Sequence, residues 1–265
     1  MGGGSSQPVL YTIPFSHFCE AGRWALAEAK IDFTESGYYP GLHMMMGPMG
    51  RIRGDGSAVV PLLVDTDGSV LANDSWECLA KWEPVDERLK QILNEVVGPH
   101  VRSIVYSYYL PDDGAALAPL ASVANMPFLQ RTIFGLDGFR GVASKKMYKS
   151  MVKSDEYIAK CKQELAVAVQ ELEGSMIFRS GFTERADGRP TANAIAVASL
   201  FAPMVSPPNL GAGFFGEGGF PLTYETAPPG FQEEVKRWRA TKLGTWTTDV
   251  YAKYYNHVRP TPSRL

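Results

Sequence analysis

The stretch from Val9 to Trp82 constrains this chain more than any other, because its predicted elements follow a restrictive order. Pro8 and Pro14 bracket the β-rich run Val9-Leu10-Tyr11-Thr12-Ile13, which predicts a short strand. Ser16 then precedes a run in which Phe18, Cys19, Trp24, Ala25, Leu26 and Ala29 favour a helix, with Ser16 or His17 at its start. Gly22 lies inside that helix, at a cost of about 1 kcal/mol relative to Ala. Ile31 to Ser36 predicts a second strand and completes a βαβ unit, whereas residues 37 to 57, rich in Gly, Met and Pro, predict irregular chain. Val59 to Val64, the turn Asp65-Thr66-Asp67-Gly68 and Ser69 to Ala72 predict a β-hairpin. Asp74 or Ser75 caps a helix to about Trp82, and Pro84 ends it.

From Asp86 onward the periodicity is helical. Leu89, Ile92, Leu93, Val96 and Val97 share a face, and the pattern runs past Gly98-Pro99 towards Tyr109. Ser144 to Leu172 predicts one long helical region with Tyr148, Met151, Ile158, Cys161, Leu165, Val169 and Leu172 facing a core. A helix opening at Pro190-Thr191 is almost uniformly small and apolar, which predicts a central position, and Phe231 to Tyr255 predicts a last helical region broken near Gly244. Between them, Pro207 to Gly230 is Pro/Gly-rich with interspersed aromatics, and predicts an elaborated loop over a pocket or a partner. Gly211-Ala212-Gly213-Phe214-Phe215-Gly216 matches G-x-G-x-x-G by letters, but it follows Pro207-Pro208-Asn209 rather than a strand, which argues against a dinucleotide site.

With 26 basic and 28 acidic residues and no basic stripe, the chain has no electrostatic footprint for nucleic acid. Cys19, Cys78 and Cys161 are too few and too scattered for a disulfide framework or zinc site, which points to a reducing compartment and a cytoplasmic location. His17, His43, His100 and His257 show no metal-ligand spacing, so no metal is expected. The longest apolar stretch, Ala192 to Val205, is too short to span a bilayer, and a soluble chain is expected. Met1-Gly2-Gly3-Gly4-Ser5-Ser6 fits the pattern for N-myristoylation of Gly2, although a floppy Gly/Ser start is the plainer reading. One acyl chain without adjacent basic residues would make only weak membrane contact.

Three motifs in order, Ser16-His17-Phe18-Cys19 with Arg23 on the following helix, Val60-Pro61, and Asp74-Ser75, resemble the N-terminal domain of the glutathione S-transferases. The resemblance covers the first 83 or so residues and implies an α/β thioredoxin-like N-terminal domain followed by an all-α helical-bundle C-terminal domain. The corresponding expected organisation is a flexible segment at 1–8, a glutathione-binding domain at 9–83, a linker at 84–86 and a helical domain at 87–265. The resemblance further implies glutathione as co-substrate, Ser16 as the catalytic residue, a cis bond before Pro61 that exposes the backbone of Val60 to the cysteinyl part, and Asp74 and Ser75 at the γ-glutamyl end. It also implies detoxification chemistry on a small, largely apolar electrophile, and a homodimer.

The chemistry suits these residues. Glutathione reacts as its thiolate, and a hydroxyl at a helix N-terminus, helped by unpaired backbone N–H groups, lowers a thiol pKa. Ser16 would thus stabilise a sulfur anion rather than attack, although a plain helix cap is the competing reading. Tyr11 is the rival, because some classes use a first-strand tyrosine; its position within the strand favours a packed core role. A Ser16-x-x-Cys19 pair excludes a dithiol cycle, so Cys19 is expected to pack as a small apolar group. Departures from the family pattern are His17 where Pro is common, and Val59 where a Lys often grips the glycyl carboxylate, with Arg51 or Arg53 as candidate substitutes. Tyr106, Tyr109, Phe128 and Trp246 are candidate acceptor-pocket aromatics. The alternatives are a non-catalytic binding or protein-interaction module, or glutathione-dependent lyase or dehalogenase chemistry.

Overall fold

The computed structural model describes residues 7–216, 220–255, 258 and 261–262. The Gly2 myristoylation pattern and His257 lie outside the described residues. Strand β1 (Val9–Thr12) leads through a short turn into α1 (His17–Glu28), and β2 (Thr34–Gly37) returns parallel to β1. β3 (Leu62–Val64) and β4 (Val70–Ala72) form the hairpin, closed by Asp65 N–H donating to Ser69 C=O at 2.8 Å with Gly68 at φ +89°. Helix α4 (Ser75–Trp82) follows after an Asp74 cap. The sheet order is β4-β3-β1-β2-β5. The fifth strand, β5 (Thr261–Pro262), comes from the far end of the chain and pairs parallel with β2, an addition that the all-helical expectation for the second half did not contain.

Alternation along the strands sorts the core onto two faces. Leu10 and Leu63 turn towards α1 and α4, meeting Leu26 and Cys78. Tyr11 and Leu62 turn the other way, onto Met49 and Tyr38. Two one-turn helices, α2 (Leu42–Met46) and α3 (Met49–Arg53), occupy the stretch expected to be irregular; Gly41, Gly47 and Gly54 bound them, and Pro48 starts the second.

The second half is a helical bundle. α5 (Glu87–Ile92) runs through a π-turn at Leu93–Val97 into α6 (Gly98–Tyr109), so the helix does pass Gly98-Pro99. A short turn α7 (Pro111–Gly114) and a 3-10 segment (Ala115–Ser122) lead to α8 (Phe128–Gly135) and α9 (Asp137–Met147). The long helix expected over 144–172 is interrupted. A π-turn at Tyr148–Val152 ends at Lys153 with φ +61°, and Ser154 then caps α10 (Asp155–Ser175) by accepting from Tyr157 N–H. α11 (Ala192–Val205) is buried along nearly its whole length and is the centre of the bundle. After one turn, α12 (Ala212–Phe215), come α13 (Pro229–Arg239) and α14 (Lys242–Tyr254). The break between the last two falls at Ala240–Thr241, not at Gly244. Gly244 instead sits in the first turn of α14, where a Cβ would lie 1.9 Å from the Trp238 carbonyl oxygen.

The architecture is therefore a thioredoxin-like α/β layer followed by a helical bundle, as expected from the first 83 residues. The two share one core: Ala21, Trp24 and Ala25 of α1 pack in the same cluster as Val197, Phe201 and Tyr251. No helix among the described residues is long and apolar enough to cross a membrane.

Candidate active site

Ser16 occupies the N-cap position of α1, with φ −85° and ψ 125°, held by its N–H donating to Ile13 C=O at 2.9 Å. Its hydroxyl makes no capping bond to the helix. It lies within hydrogen-bonding reach of the Cys19 thiol and faces a cavity of about 640 Å³. Cys19 itself is fully buried, and burial pushes its thiol up to about 12, so it packs as an inert group.

The residue after Ser16 joins the two halves. His17 is buried, and its Nε2–H donates to Gly98 C=O at 3.0 Å. Burial, and then the nearby charge of Arg102, push its pKa down to about 3 against the pull of that carbonyl, so the imidazole is neutral. Phe18 closes on the same point, where a Cβ on Gly98 would sit 2.4 Å from its ring. The start of α1 and the start of α6 are thus clamped together at the mouth of the candidate site.

The Val60-Pro61 bond is cis. Val60 lines the cavity with Ser16, and Val59 beside it is largely exposed. Gly22 explains itself here: a Cβ would stand 3.1 Å from Pro61 Cγ and 3.4 Å from Cys78, so its absence lets α1 settle on both Pro61 and α4. Arg53 spends its guanidinium on the carbonyls of Ser57 (3.2 Å), Val59 (2.7 Å) and Asn73. It staples the chain before Pro61 to the chain before α4, and is not free to grip a carboxylate as a substitute for the missing Lys. Asp74 and Ser75 sit at the start of α4, outside the cavity lining. Asp74 accepts from Glu77 N–H at 2.8 Å, while Ser75 is buried. Tyr11 lies outside the cavity on the opposite sheet face, its phenol raised by burial and by Tyr38.

The far wall comes from the bundle. Arg102, Val105, Tyr106 and Tyr109 form one stripe of α6 facing the cavity. Phe134 of α8 and Phe139 of α9 add to it. Of the aromatics singled out in the sequence, Tyr106 and Tyr109 line the space. Phe128 is 74% exposed, and Trp246 lies elsewhere, its indole N–H donating to Thr183 Oγ1 at 3.0 Å. Phe15, Phe134, Phe139 and Arg102 carry no motif; only the i, i+3, i+4, i+7 spacing of Arg102 with the α6 aromatics could have signalled the last of them.

The Pro/Gly-rich loop closes one side. Leu210, Gly211, Phe220 and Leu222 line the cavity, and Phe15 stacks on Phe215 with ring centres 5.7 Å apart. Gly211, at φ +74°, donates its N–H to Glu20 Oε1 at 2.9 Å. The glycine motif by letters therefore turns its first N–H to an internal carboxylate, not to a phosphate. Glu20 in turn pairs with Arg23, whose Nε and Nη2 also hold Glu35 at 2.7 and 2.6 Å. Thr12 donates to the same Glu35 at 2.6 Å. Burial raises the Glu20 carboxyl, and Arg23 opposes that rise.

A thioredoxin-like layer clamped to a helical bundle, with a hydroxyl-bearing helix start and a cis-proline backbone on one apolar cavity, defines a class of small-molecule-binding protein. Several solved structures are similar to this chain. The beta-etherase LigF from Sphingobium sp. strain SYK-6 is 16% identical, with 92% of this chain and 99% of that one covered and a TM-score of 0.47. A glutathione S-transferase from Methylobacterium radiotolerans in complex with glutathione sulfonate is 14% identical over 97% of each chain, at 0.43. Another from Methylobacillus flagellatus with glutathione bound is 13% identical over 91% and 98%, at 0.41. The chain matches no protein-family model and no curated protein. Likenesses this distant say nothing of chemistry, which follows from the side chains.

Proposed function

We propose that this protein is a glutathione-dependent transferase that activates the thiol of glutathione and directs it at a small, largely apolar electrophile. The observation that carries this is the Ser16 hydroxyl: it stands at the start of a twelve-residue helix, makes no cap bond, and faces a cavity whose near wall is the backbone before a cis proline. A ligand sulfur placed there would accept from the Ser16 O–H, and the partial positive charge of the helix start favours its anion. The thiolate then forms a C–S bond as the electrophile's leaving group departs with its bonding electrons, and the thiol proton passes to solvent. Val60 would bond the cysteinyl backbone, and Asp74 and Ser75 would meet the γ-glutamyl end just beyond Pro61.

A second reading is a binding module without turnover. It is favoured by Asp74 being committed to capping α4 and by Arg53 being tied to carbonyls, which leaves both glutathione carboxylate and ammonium weakly held. A glutathione titration that follows the ultraviolet absorbance of the thiolate at neutral pH separates the two. Saturable binding with a thiolate signal is expected, and Ser16→Ala should abolish the signal and lower turnover while binding persists. Unchanged turnover in the variant would remove Ser16 from the mechanism, and binding without thiolate would favour the module.

A further inference from the structure

The cavity carries charge on its lining that the proposed chemistry leaves unused. Arg102 lines it, its Nε is buried without a hydrogen-bond partner, and among the described residues its guanidinium makes no ion pair or side-chain hydrogen bond. Arg131, Arg140 and Arg185 also leave Nε unmatched, but the outer nitrogens of Arg140 and Arg185 bond Asp137 and Glu83, and Arg131 lies over the Phe128 ring, outside the cavity lining. Arg102 is half-buried, and its sealed Nε is a donor that a ligand acceptor in the cavity would satisfy. Glu20 is the one carboxylate in the described lining, and Arg23 and Gly211 already hold it. Lys146 adds a second cation on the same lining.

We infer that Arg102 is the specificity-determining residue of the acceptor site, and that the acceptor is an aromatic molecule bearing a carboxylate. Arg102 and Tyr106 stand one turn apart on α6, side chains about 5–6 Å apart at their base, with Tyr109 and Phe139 beyond. That spacing suits a carboxylate attached directly to a ring: the fork of Arg102 takes both oxygens while the ring lies among aromatics. The glutathione carboxylates are a second source of the same chemistry, but the placement of Arg102 favours the acceptor. In the proposed reading Val60, Pro61, Asp74 and Ser75 would carry the peptide along the α/β layer, whereas Arg102 projects from the bundle beside His17 and Tyr106. The word acceptor rests on the transferase reading; the anion site does not.

The test is calorimetric titration of the full-length protein with naphthoate and with its neutral isostere naphthamide, then with glutathione, in parent, Arg102→Met and Arg102→Lys. Turnover of glutathione with chloromethylbenzoate and with its methyl ester follows. Naphthoate should bind at least about ten-fold tighter than naphthamide, the return expected from a charged hydrogen-bonded pair. Arg102→Met should erase that preference with naphthamide affinity unchanged, Arg102→Lys should keep part of it, and the acid substrate alone should show a raised KM. Equal binding of the two ligands by the parent overturns the inference, whatever the fate of the variants. So does a variant that loses glutathione affinity and keeps the naphthoate preference, since the arginine then serves the peptide. A naphthoate preference without any thiolate signal supports the anion site and sinks the transferase reading alone.

Discussion

At the scale of single residues, Ser16 and Cys19 show how three positions separate a cavity-facing group from a sealed one. Both belong to the first turn of α1, yet Cys19 is sealed in the core and Ser16 opens on the cavity. His17 adds a pH dependence. It stays neutral in the fold, with its pKa pushed down to about 3, but takes up a proton near its ordinary value of 6.5 once unfolded. Between those values the unfolded chain holds one more proton, so stability falls as pH falls, by about 1.4 kcal/mol per pH unit. Above about 6.5 His17 contributes no slope. Urea unfolding should therefore show about 2 kcal/mol lost to this group between about pH 7 and pH 5. His17→Asn should flatten that slope, and an unaltered slope would mean that His17 is protonated in the fold.

Elements end where local chemistry is completed by something distant. Thr191 caps α11 by accepting from Ala194 N–H at 3.0 Å, while the acid that would finish a capping box is absent at Ala194. Glu83, more than a hundred residues away, accepts instead from Ala192 N–H at 2.8 Å and also pairs with Arg185. The start of the central helix is thus completed from the C-terminal end of α4. Thr191→Ala should cost about 2 kcal/mol, at the high end for a cap, because the hydroxyl also donates to Phe182 C=O. Chemical denaturation measures it; a loss below about 0.5 kcal/mol would show that Glu83 alone satisfies the helix start.

Across the whole molecule, the buried group of Arg23, Glu20 and Glu35 joins both ends of the chain. It ties β1, α1 and β2 to Gly211, and the Tyr251 hydroxyl of α14 lies 3.4 Å from Glu20. Burial works against the Arg23 charge, but Glu35 and Glu20 outweigh it and hold the guanidinium protonated. Arg23→Met would leave two carboxylates buried without a cation, a loss of about 3–5 kcal/mol. The difference between variant and parent should shrink as pH is lowered, because protonation relieves buried carboxylates. A pH-independent difference in thermal or urea unfolding would assign the loss to packing instead.

How much of this was legible in the chain follows from the range of the interactions. β1, the start of α1, the hairpin and the α4 cap were readable because proline, glycine and capping residues act within a few positions. The Val60-Pro61 pair could be picked out, and the structure has that bond cis. Distance defeated the rest. Lys153, at φ +61°, carries no helix-breaking letter, so the α9–α10 interruption is set by packing rather than composition. The internal capture of Gly211 by Glu20 and the far edge strand at Thr261–Pro262 each depend on partners far away along the chain, 191 residues in the first case. The sequence alone determined the layer order and a hydroxyl at a helix start, because those are local. Only the tertiary structure decided which aromatics surround that hydroxyl and that Arg102 faces them without a partner, because a cavity is formed by residues that never meet along the chain.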